Sequence, residues 1–143
     1  MNYKKILIAV DDSPVAEKVA LEGFLLGKQL NAEMALISVA DIAFVMAEGG
    51  VTPREMTEMI KDDLKKVQKM LIKNIFKEQK VWSFIEEGTP ADMIKKTCDE
   101  WEASLIVIGT HGRTGLSHIL MGSVAERVIR HSPVPVLVVP VRK

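Results

Sequence analysis

Along this chain, short unbroken apolar runs take turns with stretches whose apolar residues recur three or four apart. Ile6 to Val10 is the first run and ends at Asp11-Asp12; such runs fit strands buried on both faces of a sheet. Ser13-Pro14 then reads as an N-cap followed by proline at the first helical position. Val15, Val19, Leu26 and Leu30, with Ala16 and Ala20, predict a helix to about Leu30, and Gly23 and Gly27 within it suggest close packing on the sheet.

Ala35 to Ala40 is the second predicted strand, after a turn at Asn31. Asp41 to Val51 fits no clean period and is too apolar, with Ile42, Phe44, Val45 and Met46, for an idle solvent loop; a mobile flap is expected there. Thr52-Pro53-Arg54-Glu55 is a capping box. The long helix after it places Met56, Met59, Ile60, Leu64, Val67, Leu71 and Ile75 on one face, and Lys61, Lys65, Lys66, Lys69 and Lys73 read as a solvated face. Val81 to Ile85 is a third strand. Thr89-Pro90-Ala91-Asp92 repeats the cap and opens a helix to about Glu100. Leu105 to Ile108 is the fourth strand, Ser123 to His131 the fourth helix and Pro135 to Val141 the last strand. Strands alternating with helices need crossover connections, which give an α/β fold with an open parallel sheet and helices on both faces. Residues 1–143 read as a single domain, without linker or repeat. In such sheets ligands sit beyond the C-terminal strand ends where the strand order reverses. Asp11, Val39-Ala40 and Ile108-Gly109 are therefore candidates.

Composition narrows the classes. At 143 residues the chain can bury one sizeable core. Lys plus Arg and Asp plus Glu are both 19, so no global field draws it to nucleic acid or anionic lipid, and any polyanion must be held locally. No apolar run approaches the roughly 18 residues a membrane span needs, and the N-terminus passes straight into a strand, so a soluble, cytoplasmic protein is expected. Cys98 is the only cysteine, which excludes an internal disulfide, and it reads as packing or surface. Trp82 and Trp101 read as core or partly buried anchors rather than base-stacking platforms. His131 suits a helix C-terminus.

The chemistry concentrates between Leu105 and Val124. Gly109, Gly112 and Gly115 are interleaved with Thr110, His111, Arg113 and Thr114, and Gly122-Ser123 opens a helix. Loop amides aimed into one concavity, with the free N–H groups of a helix N-terminus, make an anion site for which phosphate is the obvious guest. Arg113, Arg127 and Arg130 are balanced locally only by Glu126. No lysine follows a glycine as a P-loop requires, and G-x-x-G-x-x-G differs from the dinucleotide fingerprint G-x-G-x-x-G.

Gly109, two residues, Gly112, nine residues, Gly122, then Ser123, resembles the glycine motif of the ATP-binding branch of the universal stress protein family. The likeness extends to ILIAVDDSPVAEKVA at the start, EGTPADMI, LIVIGTHG and the closing HSPVPVLVVP. The resemblance implies a five-stranded parallel sheet of order 3-2-1-4-5 that binds ATP. It places Asp11 at the ribose, Val39 along the adenine and Ile108 near the base. Gly109 and Gly112 would bring amides to ribose and phosphates, Gly122, Ser123 and Val124 would meet the phosphates, and Arg113 matches the basic residue usual after the second glycine. Asp11 could instead cap the first helix, but Ser13 already suits that role. Mg²⁺ bound through the phosphates is expected, because an amide-lined loop with few basic side chains needs further neutralisation.

These features imply an ATP-dependent regulatory or signalling module in stress response, acting on an unknown protein partner. A slow ATPase or a transporter regulator is the alternative; hydrolysis needs a base and leaving-group stabilisation, and no carboxylate stands in the glycine stretch. A Ser-His-Asp hydrolase from Ser123, His111 and Asp11 lacks a nucleophile elbow, and His111 and His118 fit loop donors better. A homodimer through the C-terminal strand is also expected. PVLVVPV is apolar, and an open edge strand invites a second copy.

Overall fold

The computed structural model describes residues 2–43, 51–111 and 121–140. Five runs become strands: β1 (Lys5–Ala9), β2 (Glu33–Asp41), β3 (Val81–Gly88), β4 (Leu105–Gly109) and β5 (Val136–Val139). They form one sheet of order β3-β2-β1-β4-β5, every neighbouring pair parallel. The expected order therefore holds. The order reverses between β1 and β4, which lie side by side with Ile6 opposite Leu105 and Ile8 opposite Val107.

Helices α1 (Ala16–Leu30), α2 (Pro53–Leu71, continued by a π-helical turn at Ile72–Phe76), α3 (Pro90–Trp101) and α4 (Ser123–His131) supply the crossovers. Pleating sends Ile6 and Ile8 into one core with Val19, Leu36, Leu71 and Phe76, and Leu7 into the other with Ile37, Ile94, Ile106 and Val128. Thus α1 and α2 cover one face, and α3 and α4 the other. Trp82 and Trp101 belong to the second core, their rings 5.9 Å apart.

Gly23 and Gly27 bring α1 down onto the sheet. A Cβ on Gly23 would stand 2.6 Å from Ile8 Cδ1, and one on Gly27 would collide with the Met34 sulfur. Thr52 caps α2 as expected, its Oγ1 accepting the Glu55 N–H at 3.1 Å.

Four expectations need correction. Ser13 does not cap α1: the helix starts at Ala16 with Val15 at the N-cap, and no side chain bonds that end. Thr89 precedes α3 without a side-chain capping bond. On α2, Met59 is 56% exposed, while Thr57 and Gln68 are buried instead. The Thr57 hydroxyl donates to the Pro53 carbonyl at 2.8 Å, a backbone partner that makes its burial tolerable. The C-terminal strand spans Val136–Val139, shorter than Pro135 to Val141, and residues 141–143 lie outside the described ones.

Candidate nucleotide-binding cleft

The C-terminal ends of β1, β2 and β4 open into one cleft of about 540 Å³ at the reversal of strand order. Ligand pockets of drug-like or cofactor size run roughly 300–1,000 Å³. Of the nine candidate residues, Asp11, Val39, Ile108, Gly109, Gly122, Ser123 and Val124 all line it. Gly112 and Arg113 lie outside the described residues, as do Gly115, His118 and residues 44–50 of the expected flap.

The two ends of the cleft are built differently. One end is apolar: Ile37 and Val39 on β2, Ile60 and Leu64 on α2, and Pro90 and Ile94 on α3. The contribution of α2 and α3 was missed in the sequence, because the same periodicity that marks a core face also marks a pocket wall.

The other end is main chain. The Gly122 N–H donates to the Thr110 carbonyl at 2.6 Å, tying the start of α4 to the end of β4. Gly122 is the N-cap, so Ser123 is the first helical residue rather than the cap. A Cβ on Gly122 would stand 3.3 Å from the Thr110 oxygen, so glycine permits this approach. The first intrahelical bond of α4 runs from the Glu126 N–H to the Gly122 carbonyl. The amides of Ser123, Val124 and Ala125 have no intrahelical acceptor, and these three residues line the cleft. His111 lines it too, with an Nε2 that is buried and has no hydrogen-bond partner among the described residues.

Asp11 sits where β1 leaves the sheet. Its Oδ1 accepts the Ser13 N–H at 2.9 Å, an Asx turn that starts the reversal into α1. The turn expected to rest on Ser13 is therefore shaped by Asp11.

Charge at the cleft also differs from expectation. Asp11, Asp12, Asp41 and Glu126 line it, and no lysine or arginine does so among the described residues. Arg127 pairs with Asp92 at 3.5 Å and Arg130 with Glu126 at 2.6 Å, so neither is the local counter-charge the sequence suggested. Cys98 is buried, and burial, with Asp99 adding to it, pushes its thiol up to about 11. That thiol is packing, with no thiolate to offer at neutral pH.

The family model described as the universal stress protein family matches residues 2–140. The chain belongs to the universal stress protein family. Universal stress protein MJ0531 of Methanocaldococcus jannaschii is 38% identical over 143 residues, covering 96% of this chain and 82% of that protein. MJ0577 of the same organism is 35% identical, covering 96% of this chain and 94% of its own length. Its solved structure superposes with a TM-score of 0.76 over all of this chain and 99% of that one. Universal stress protein UspA from Lactobacillus plantarum gives a TM-score of 0.84 over 97% of this chain and 99% of its own, at 20% identity. That likeness concerns the fold.

Proposed function

We propose that this family member binds ATP in the cleft and acts as a regulatory module in stress response, its nucleotide occupancy altering the surface offered to a protein partner. One observation carries the reading: the apolar ends of β1 and β2 and the α4 amides that lack an intrahelical acceptor converge on a single cleft lined by every described residue of the nucleotide motif. The apolar end suits a purine, Asp11 a ribose hydroxyl and the α4 terminus the phosphates. The glycine motif of the ATP-binding branch supports the triphosphate.

A triphosphate would enter a cleft lined by four carboxylates, with Glu126 beside the three helix amides at its phosphate end, so it needs a cation. Among the described residues no group of three His, Cys, Asp or Glu side chains could hold a metal. Mg²⁺ would accordingly come with the nucleotide, held by its phosphates, and Arg113 would add a second positive charge. Slow hydrolysis is the second reading, favoured by Glu126 at the phosphate end, although Arg130 holds that carboxylate.

The module is proposed as a cytoplasmic homodimer of single domains. No described helix is long and apolar enough to cross a membrane. β5 is the edge strand and Leu137 on it is 39% exposed, leaving an apolar edge for a second copy. Deleting Val138 to Lys143 is expected to give a monomer or an aggregate in sedimentation; a dimer that persists would move the interface elsewhere.

The nucleotide reading is tested by mass spectrometry of any ligand that co-purifies and by calorimetry of stripped protein with MgATP. Saturable one-to-one binding per chain is expected. Absence of heat and of any bound nucleotide contradicts it.

A further inference from the structure

Ser38 and Gln68 are polar residues inside an apolar core, 1% and 2% exposed. The Gln68 Nε2 donates to Ser38 Oγ at 2.8 Å and to the Phe84 carbonyl at 3.2 Å, and the Ser38 hydroxyl donates to the Val10 carbonyl at 2.8 Å. The Gln68 Oε1 is buried without a partner among the described residues. An apolar side chain of similar size would avoid that orphaned acceptor, so stability alone does not explain the amide.

Its location does. The β1–β2 register closes at Ala9–Ile37, with the Val10 N–H donating to the Ile37 carbonyl at 3.0 Å. In a regular parallel ladder the next rung would run from the Val39 N–H to the Val10 carbonyl. Here the Ser38 hydroxyl takes that carbonyl. Residues two apart on a strand direct their main-chain groups to the same side, so Val39, like Ile37, turns its N–H and carbonyl toward β1. β1 ends at Ala9, and Val39 lines the cleft.

We infer that Ser38 and Gln68 are positioning residues for base recognition: the hydroxyl, held by the amide, ends the β1–β2 ladder one rung early and leaves the Val39 N–H and carbonyl to pair with an adenine edge. This rests on the nucleotide reading above. An adjacent donor and acceptor match adenine N1 and N6, whereas guanine presents N1–H and O6 with the opposite polarity. The strut therefore sets which purine is accepted.

Amide exchange by NMR and calorimetry with MgATP and MgGTP test it. In nucleotide-free wild type, the Ile37 amide is expected to be protected and the Val39 amide to exchange readily, slowing when ATP is added. Ser38→Ala frees the Val10 carbonyl for Val39, so Val39 exchange slows without nucleotide. The ATP-over-GTP preference then falls about tenfold, the equivalent of one hydrogen bond. Gln68→Met keeps the volume, removes the amide and shifts both readouts in the same direction by less. A lower melting temperature in either variant would accompany any structural role, whereas a change in base preference belongs to this one. A Val39 amide already protected in free wild type, or an unchanged ATP-to-GTP ratio in Ser38→Ala, overturns the inference alone. Wild type that binds neither nucleotide overturns the nucleotide reading and the inference with it.

Discussion

The two ends of the cleft solve recognition by opposite means. The β1–β2 end is side chains from three layers, set by packing between sheet, α2 and α3. The β4–α4 end is main chain, shaped by a short bond between Gly122 and Thr110 and by a helix terminus. A packed wall tolerates conservative exchange of its side chains, since volume and apolarity are what it contributes. A main-chain cradle tolerates little, because an added Cβ occupies the space the ligand or a neighbouring carbonyl needs. Single substitutions should therefore act more sharply at the phosphate end.

Gly122→Val is the largest expected effect. Its Cβ would stand 3.3 Å from the Thr110 oxygen, and the branched side chain adds bulk at the helix end proposed to hold the phosphates. MgATP affinity should fall by about a hundredfold, roughly 2.7 kcal/mol, while stability falls by about 1 kcal/mol from the poorer cap. Wild-type affinity in calorimetry would place the phosphates elsewhere.

Asp11 joins the two ends, and a pair of variants separates its roles. Asn keeps the side-chain carbonyl that accepts from Ser13 N–H but loses the charge. Asp11→Asn should weaken ATP binding by about five- to tenfold, consistent with a lost charge-assisted hydrogen bond, with thermal stability near wild type. Loss in Asp11→Ala without loss in Asp11→Asn would reduce Asp11 to a turn residue.

At the apolar end, Ile60→Val trims one methylene from the wall and should cost ATP affinity about two- to fourfold, approximately 0.8 kcal/mol at most. A drop as large as that of Gly122→Val would break the contrast between the ends.

The smallest effect should have the opposite sign. Glu126→Gln removes a carboxylate from the phosphate end, so ATP should bind about two- to threefold more tightly, most clearly at low ionic strength. Stability should fall by about 0.3–1 kcal/mol, because the carboxylate favours the helix N-terminus. Weaker binding, measured at the same Mg²⁺ concentration, would mean that Glu126 helps hold the cation.

Much of this was legible in the sequence because punctuation and periodicity agreed. Unbroken runs such as Leu105 to Ile108 cannot be surface strands, and Gly109 and Gly122 mark where β4 ends and α4 begins. Choices between equivalent residues were not legible. Asp11 and Ser13 can each cap or turn, and burial decides between them: Ser13 is buried with its hydroxyl unpartnered among the described residues, while Asp11 at the strand end bonds the turn. The Ser38–Gln68 strut was invisible for a different reason. A polar residue in an apolar pattern reads as a break in the pattern, and its partner lies thirty positions away. The charge balance failed similarly, because Arg127 and Arg130 are spent on ion pairs with Asp92 and Glu126.

The central claim is that one nucleotide spans both ends, base against Val39 and phosphates on α4. An NMR titration of nucleotide-free protein with MgATP tests this most directly. The amides of Val39, Ser123 and Val124 should shift together and saturate at one equivalent. Saturation that moves Ser123 and Val124 but leaves Val39 unshifted would contradict the account, reducing the cleft to an anion site with no base recognition.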